Sequence, residues 1–313
     1  MRAIGVTSYG GPEVLRVLDL PAEPLGEGQV RVRVSSAAVN PTDTGLRAGL
    51  RSGGLNRPAE GVDVPGMDIA GTVVEVGSGV SGRMVGEHVM GIVVPSGRHG
   101  GYREDLVLPA RSLTRVPAGA SDVAAATLPM NGLTARQALD LLALLPGRVL
   151  AVTGAAGAVG GYVIELAKVE GLTVIADAAP ADEALVRDLG ADIVVARGDD
   201  VAARIREYYP DGVDGLADGA LLNSLALPAV RDGGAVATVR GYAGDGQRGL
   251  RVTPVTVRSY AQEWEKLDRL RALAEEGAIT LRVADTYRAE QAADAHRRLE
   301  AGGTRGRLVL QFA

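Results

Sequence analysis

The sequence predicts an α/β protein of two domains: a doubly wound parallel Rossmann sheet and a smaller β-rich, partly barrel-shaped domain. Three observations predict this. Residues 149–177 read as one strand–loop–helix–strand unit, strand and helix patterns go on alternating beyond it, and residues 1–118 are dense in valine, glycine and proline with little helical period. With 313 residues, the chain is long enough for two domains of ordinary size.

In the first part, Gln29-Val30-Arg31-Val32-Arg33-Val34 alternates at period two, and Thr72-Val73-Val74-Glu75-Val76 does so in part. Turn signals recur at Gly10-Gly11-Pro12, Pro24-Leu25-Gly26 and Ser78-Gly79-Val80-Ser81-Gly82. From Ser121 the pattern changes. Residues 124–144 read as helix, broken by Pro129 and by Asn131-Gly132. After the unit at 149–177, helices are expected at 182–189, 201–208 and 221–230, and strands at 193–195, 213–217 and 235–239. Residues 264–276 are a last amphipathic helix. The tail reads as a strand at 279–283, a helix at 289–300 and a strand at 307–310, beyond the natural end of the sheet, and is expected to return to the first domain. The expected domains are 1–118 with 279–313, and 119–278, packed around one cleft with no low-complexity linker and no internal repeat.

The stretch with most chemistry in it starts at Val149. Val-Leu-Ala-Val-Thr at 149–153 is an apolar run without helical period, as in a buried parallel strand. Gly154-Ala155-Ala156-Gly157-Ala158-Val159-Gly160 follows at once, then an apolar helix face of Val163, Ile164, Leu166 and Ala167 ending near Gly171. A second strand at 172–176 stops on Asp177, twenty residues beyond Gly157. Such a turn suits a dinucleotide pyrophosphate: glycines admit the phosphates to the backbone, and the helix N-terminus offers N–H groups and partial positive charge. The acid stands about where these units place the carboxylate that holds the adenosine ribose. A strict fingerprint would have glycine in place of Ala155, and close helix–strand packing alone is the competing account of the loop. The register of all five parts favours the cofactor.

Composition narrows the remaining classes. A hydrophobic fraction of 46% and a charged fraction of 23% are those of a globular protein, and no apolar run approaches the roughly 20 residues of a membrane helix. With no charged-then-apolar leader at the start, the expectation is a cytoplasmic protein with no membrane partner. There is no cysteine, which excludes disulfides, thiol nucleophiles and thiolate metal sites. His88, His99 and His296 are the only histidines, no two at metal-ligand spacing, so zinc is not expected. The net charge is −5, the arginines are scattered and Lys168 and Lys266 are the only lysines, so no basic face for nucleic acid is visible.

Several motifs in order along the chain carry a family likeness: Ala38-Val39-Asn40-Pro41-Thr42-Asp43, Pro65-Gly66-Met67-Asp68-Ile69-Ala70-Gly71-Thr72-Val73, Val85-Gly86-Glu87-His88-Val89, Gly100-Gly101-Tyr102, Gly132-Leu133-Thr134-Ala135, the glycine loop, and Leu189-Gly190-Ala191-Asp192. With these the chain resembles the zinc-free branch of the medium-chain dehydrogenase/reductase superfamily, most of all its quinone oxidoreductases and enoyl reductases. The resemblance implies a GroES-like first domain. It also implies hydride transfer from NAD(P)H to a quinone or an α,β-unsaturated carbonyl. In zinc-dependent relatives a cysteine ligand occupies the place of Asn40 and a histidine ligand that of Met67. Without a Lewis acid, a conjugated acceptor is the feasible one, because delocalisation lowers its barrier.

The resemblance also suggests residue roles, each with a plainer alternative. Asn40 is expected beside the nicotinamide ribose or the acceptor oxygen; an Asn-Pro turn is the alternative. Asp43 is a weaker catalytic candidate that a helix cap would also explain. Thr134 matches the family threonine near the nicotinamide, or is a helix hydroxyl bonding a carbonyl one turn back. Asp218, Arg240 and Gly241 follow strand ends, where doubly wound folds bind ligands, so they join the glycine loop and Asp177 as candidate cofactor residues. Arg307, after Gly306, matches a tail position that reaches back to the cofactor. Two departures stand out. Many enoyl reductases carry a proton-donating tyrosine after Arg-x-Gly-Leu, but Arg47-Ala48-Gly49-Leu50 is followed by Arg51. The serine and lysine that NADP-using relatives place beyond the second strand are replaced by Ala179 and Ala181, near Asp177 and Asp182. Asp177 therefore argues for NADH, while family habit argues for NADPH, with Arg187 or Arg197 as candidate phosphate partners.

Three functional readings remain open. The first is a quinone or enone reductase. The second is a biosynthetic enoyl reductase acting on a polyketide-like or acyl thioester substrate, with Arg51-Ser52-Gly53-Gly54-Leu55-Asn56 as a substrate-side loop. The third is a redox-silent nucleotide-binding or structural protein. Residues 250–257 alternate like a strand after the last sheet strand, where relatives pair edges, so a homodimer is expected.

Overall fold

A computed structural model describes residues 1–50 and 53–312. Arg51 and Ser52, singled out above, lie outside the described residues. Two compact units divide the chain, one of residues 1–130, 261–275 and 281–313, the other of 131–260 and 276–280. Residues 119–130 and 261–275 thus group with the first unit.

The first unit contains β1 (Arg2–Gly5), β2 (Arg16–Asp19), β3 (Gln29–Val39), α1 (Pro41–Arg47), β4 (Asp68–Val76), β5 (His88–Ile92), β6 (Asp105–Pro109), β7 (Leu113–Arg115) and α2 (Asp122–Ala125). β1 and β2 pair antiparallel on their own. The main sheet runs β5 to β4 to β3, all antiparallel, with β7 beyond β5 and β6 also paired to β3. The period-two expectation for β3 holds: Val30, Val32 and Val34 are buried while Arg33 is exposed. Their core neighbours include Ile69, Val73, Val89, Leu106 and Leu108. Each such side chain, fully buried, contributes about 1.5–3 kcal/mol relative to an exposed one.

α3 (Pro129–Leu142), all but its first two residues in the second unit, is followed there by β8 (Val149–Thr153), α4 (Ala158–Val169), β9 (Thr173–Ala178), α5 (Glu183–Asp188), β10 (Ile193–Ala196), α6 (Val201–Tyr208), β11 (Val213–Asp218), β12 (Val230–Thr238) and β13 (Arg251–Pro254). Its six strands lie in the order β10-β9-β8-β11-β12-β13 and every pairing is parallel. The order reverses between β8 and β11, the switch point where doubly wound sheets bind their ligands. β8, β9 and β11 are buried along almost their whole length, as expected of strands covered on both faces.

The chain then supplies α7 (Trp264–Glu275), β14 (Val283–Arg288), α8 (Ala292–Glu300) and β15 (Arg307–Gln311) to the first unit. β15 pairs antiparallel with β3 and parallel with β14, so the tail does return to the first sheet.

Four expectations change. Residues 221–230 are not an α-helix but two 3₁₀ turns, Asn223–Leu225 and Leu227–Ala229. Leu221 and Asn223 take left-handed φ of 61° and 53°, the Asp218 carboxylate accepts the N–H groups of Leu222 and Asn223, and Pro228 has no N–H to extend a helix. The strand expected at 279–283 begins only at Val283, because Ile279 is buried outside any strand while β14 itself is mostly exposed. Asn131-Gly132 does not break α3: Pro129 sits at its first position, where no N–H is needed, and an interior glycine costs only about 1 kcal/mol. β9 runs one residue past Asp177 to Ala178, since Ala178 keeps its place in the ladder against Ala196.

Candidate nucleotide site and a buried polar cluster

In the second unit a cavity lies at the switch point, lined among others by Thr134, Thr153, Gly160, Asp218 and Val239. Gly154 turns the chain out of β8 with φ of 67°, and the N–H of Gly157 returns to its carbonyl at 3.0 Å. Gly157 then caps α4 with φ of −71° and ψ of 170°, a conformation open to any residue. The first N–H groups of α4 have no carbonyl one turn before them, so they face outward as donors.

The glycines of this loop answer to different demands. A Cβ at Gly160 would stand 2.4 Å from the Gly154 carbonyl oxygen and 2.8 Å from Ala155 Cα, so the chain's own packing requires glycine there. A Cβ at Gly157 would meet nothing but the Gly154 oxygen, at 3.1 Å. Apart from that oxygen the space beside Gly157 is open. Ala155 is fully buried and Ala156 nearly so, while Ala158 and Val159 are half-buried at the helix start.

Asp177 lies at the edge of this loop, 5% exposed, its Oδ1 accepting the Ala155 N–H at 3.1 Å. Burial raises its pKa, while that hydrogen bond, one from the Gly154 N–H and the charge of Arg197 oppose the rise. Asp218 is saturated by its own loop: it accepts the Thr153 hydroxyl at 2.6 Å and the N–H groups of Ala220, Leu222 and Asn223. It shapes the cavity wall. Thr134 lines the same cavity from α3. Arg240 and Gly241, with φ of 62° and 91°, turn the chain just past the carboxyl end of β12, Arg240 exposed. Of the two arginines considered for a 2′-phosphate, Arg187 is paired to Glu183 at 2.7 Å; Arg197 follows β10, its N–H on the Ala178 carbonyl.

In the first unit the family motifs meet in a buried polar cluster. Asn40 is fully buried at the start of α1, its Nδ2 donating to Asp68 Oδ2 at 2.6 Å. Asp68 Oδ1 accepts the Met130 N–H at 2.5 Å. Asp43 reaches back one turn to accept the Asn40 N–H at 2.8 Å, and its other oxygen takes the Gly66 N–H at 2.9 Å. It therefore caps α1 and ties it to the Gly66 loop. Burial pushes Asp43 up to about 6 and Asp68 up to about 7, against the pull of these hydrogen bonds and of the Arg307 charge. Arg307 itself is 7% exposed, at the head of β15. Met67 accepts the Thr42 hydroxyl on its sulfur at 3.2 Å. Among the described residues no group of three or more histidine, aspartate or glutamate side chains is placed to hold a metal.

Reading the sequence did not single out Asp68, Tyr102 or His296 as site residues. Asp68 carries a signal that could have been used, an acid at the head of an otherwise apolar strand. Tyr102 lies in the Gly100-Gly101-Tyr102 motif but its partners are not adjacent in sequence, and His296 carries no signal, because it meets Tyr102, and Tyr102 meets Asp43, only through the fold.

A parallel six-stranded sheet with a cavity at its switch point has the architecture of the doubly wound dinucleotide-binding folds. Residues 26–118 match the alcohol dehydrogenase GroES-like domain family and residues 189–310 the zinc-binding dehydrogenase family. A quinone oxidoreductase of Pseudomonas aeruginosa is 34% identical over 99% of both chains. A 2-methylene-furan-3-one reductase of Solanum lycopersicum is 30% identical over 99% of this chain and 79% of its own. A mycobacterial protein solved in complex with NADPH superposes with a TM-score of 0.86 at 29% identity, covering 100% of each chain. The chain belongs to the medium-chain dehydrogenase/reductase superfamily, on its quinone oxidoreductase and enoyl reductase side.

Proposed function

We propose that the protein transfers hydride from a reduced nicotinamide dinucleotide to a quinone or an α,β-unsaturated carbonyl, without zinc. The opening at Gly157, which the chain's own packing does not need, is the observation that carries the nucleotide part of this reading. Gly157, Ala158, Val159 and the N-terminus of α4 would hold the pyrophosphate, Asp177 the adenosine ribose, and Thr134, Arg240 and Gly241 would border the nicotinamide end. When bound, the dinucleotide supplies the hydride. Asn40, held by one carboxylate at its backbone and another at its amide, would orient the acceptor. Positioning replaces Lewis-acid polarisation, in keeping with Asn40 and Met67 at the former ligand positions and the absence of cysteine.

A turnover screen of NADH and NADPH against quinones, enones and enoyl thioesters tests the reading. Oxidation with quinones or enones, undiminished by a chelator and with far less than one zinc per chain by elemental analysis, is the expected result. Exclusive use of enoyl thioesters would make it a biosynthetic reductase. Tight nucleotide binding with no acceptor reduced would overturn the proposal, as would zinc-dependent turnover.

A homodimer belongs to the same proposal. Among the described residues β13 pairs with β12 alone and so lies at the edge of the parallel sheet. It is shorter than the alternation at 250–257, because Pro254 closes it. Light scattering is expected to return twice the chain mass at micromolar concentration; a monomer mass would refute this. No helix among the described residues is long and apolar enough to cross a membrane, and a cytoplasmic location completes the proposal.

A further inference from the structure

Beneath Asn40 the first unit holds a line of polar groups that no functional role above absorbs. His296, on α8, is fully buried, and its Nε2 lies 3.2 Å from the Tyr102 hydroxyl. That hydroxyl lies 3.4 Å from Asp43 Oδ2, the atom that accepts the Asn40 N–H at 2.8 Å. The His296 Nδ1 is buried and has no hydrogen-bond partner. Burial and the nearby Arg47 charge press the imidazole towards its neutral form.

A neutral imidazole carries one N–H, and a tyrosine one O–H. Two arrangements are available. If Tyr102 donates to His296 Nε2, the imidazole proton sits on Nδ1 as a buried donor without an acceptor, and the tyrosine oxygen turns its lone pairs towards the Asp43 carboxylate. If His296 donates from Nε2, Tyr102 passes its own proton to Asp43, every proton has an acceptor, and only a bare lone pair is left at Nδ1. An orphaned buried donor is the costlier defect, and the second arrangement leaves none. The direction of the chain follows.

We propose that Tyr102 and His296 are positioning residues for the reductase: an ordered relay of hydrogen bonds, His296 Nε2–H to Tyr102 O–H to Asp43, fixes the backbone of Asn40. Asp43 then ties Asn40 to the Gly66 loop, while Asp68 holds the Asn40 amide from the other side. Neither Tyr102 nor His296 touches the reactants. They act by removing the freedom of Asp43, and through it of the residue that orients the acceptor. The functional part of this inference rests on the proposed role of Asn40.

The test combines spectroscopy with kinetics on the full chain. The imidazole ¹⁵N shifts of His296 are expected to show a neutral Nε2–H tautomer throughout the neutral pH range, disturbed by Tyr102→Phe. His296→Leu is expected to lower kcat on the order of tenfold while leaving the dissociation constant for the dinucleotide unchanged. His296→Gln, whose amide N–H can donate to the tyrosine oxygen, is expected to restore most of kcat. An Nδ1–H or charged imidazole would overturn the ordering. A wild-type kcat in His296→Leu, or a loss that His296→Gln does not relieve, would overturn the positioning role. Asn40→Ala, run in parallel, separates the two readings. If it leaves kcat intact, the role of Asn40 and with it the positioning role fail, while the tautomer still reports on the relay itself.

Discussion

Replacing Gly157 by valine is expected to weaken dinucleotide binding by at least about 100-fold, or about 2.7 kcal/mol, while the chain stays folded. The backbone at this position, φ −71° and ψ 170°, suits an L-residue, and a Cβ meets only the Gly154 oxygen at 3.1 Å. The stability cost is then that of a poorer N-cap, on the order of 1 kcal/mol. The binding cost is larger, because the branched side chain fills the space through which phosphate oxygens reach the N–H groups of the α4 N-terminus. Gly160→Ala is the contrasting control. Its Cβ would stand 2.4 Å from the Gly154 oxygen, so this variant is expected to lose the fold around the loop. Calorimetry of binding, with thermal unfolding of each variant, checks both. Unchanged affinity in Gly157→Val would mean that the loop serves packing alone.

NADH is expected to be the better reductant, and Asp177→Ser to move the ratio of kcat/KM towards NADPH. Asp177 is anchored to the Ala155 N–H, which holds its carboxylate at the glycine loop, where the proposed site would place the adenosine ribose. A phosphate charge brought to about 5 Å from a carboxylate at an effective dielectric near 20 costs about 3 kcal/mol, and a third of that after screening is about sixfold in affinity. Arg187 is engaged by Glu183, which leaves Arg197 as the opposing cation at this end of the sheet. Arg197→Ala is therefore expected to deepen the preference for NADH. A wild type that prefers NADPH, with the ratio unmoved by Asp177→Ser, would remove Asp177 from the ribose.

What the sequence made legible was local. β8 at 149–153 and α6 at 201–208 lie where the pattern puts them, because a two-face-buried strand is a continuous apolar run and an amphipathic helix a regular one. The glycine loop was legible for a similar reason, since backbone geometry there dictates residue type over a few positions. The stretch 221–230 misled because its apolar spacing is helical while its backbone donors are claimed by Asp218. β14 was shifted because an exposed edge strand carries no apolar alternation. In the buried cluster, Asn40 meets Asp68 across 28 positions and Tyr102 meets His296 across 194, so no window of sequence could show them together.

The placement of β15 has a consequence for how the chain acquires its structure. β6 covers β3 from Gln29 to Arg33, but the stretch from Ser36 to Val39 on the same side has no neighbour until β15 arrives. The nucleotide-binding unit is drawn almost wholly from one continuous segment, so its contacts can form early during synthesis. The first unit must wait for residues made nearly the whole chain later. Through that interval Ala37, Ala38 and Val39 form a bare apolar sheet margin immediately before Asn40. Such a margin is a template for pairing with another nascent chain. Truncation that removes β15 is therefore expected to lower solubility by leaving this margin uncovered.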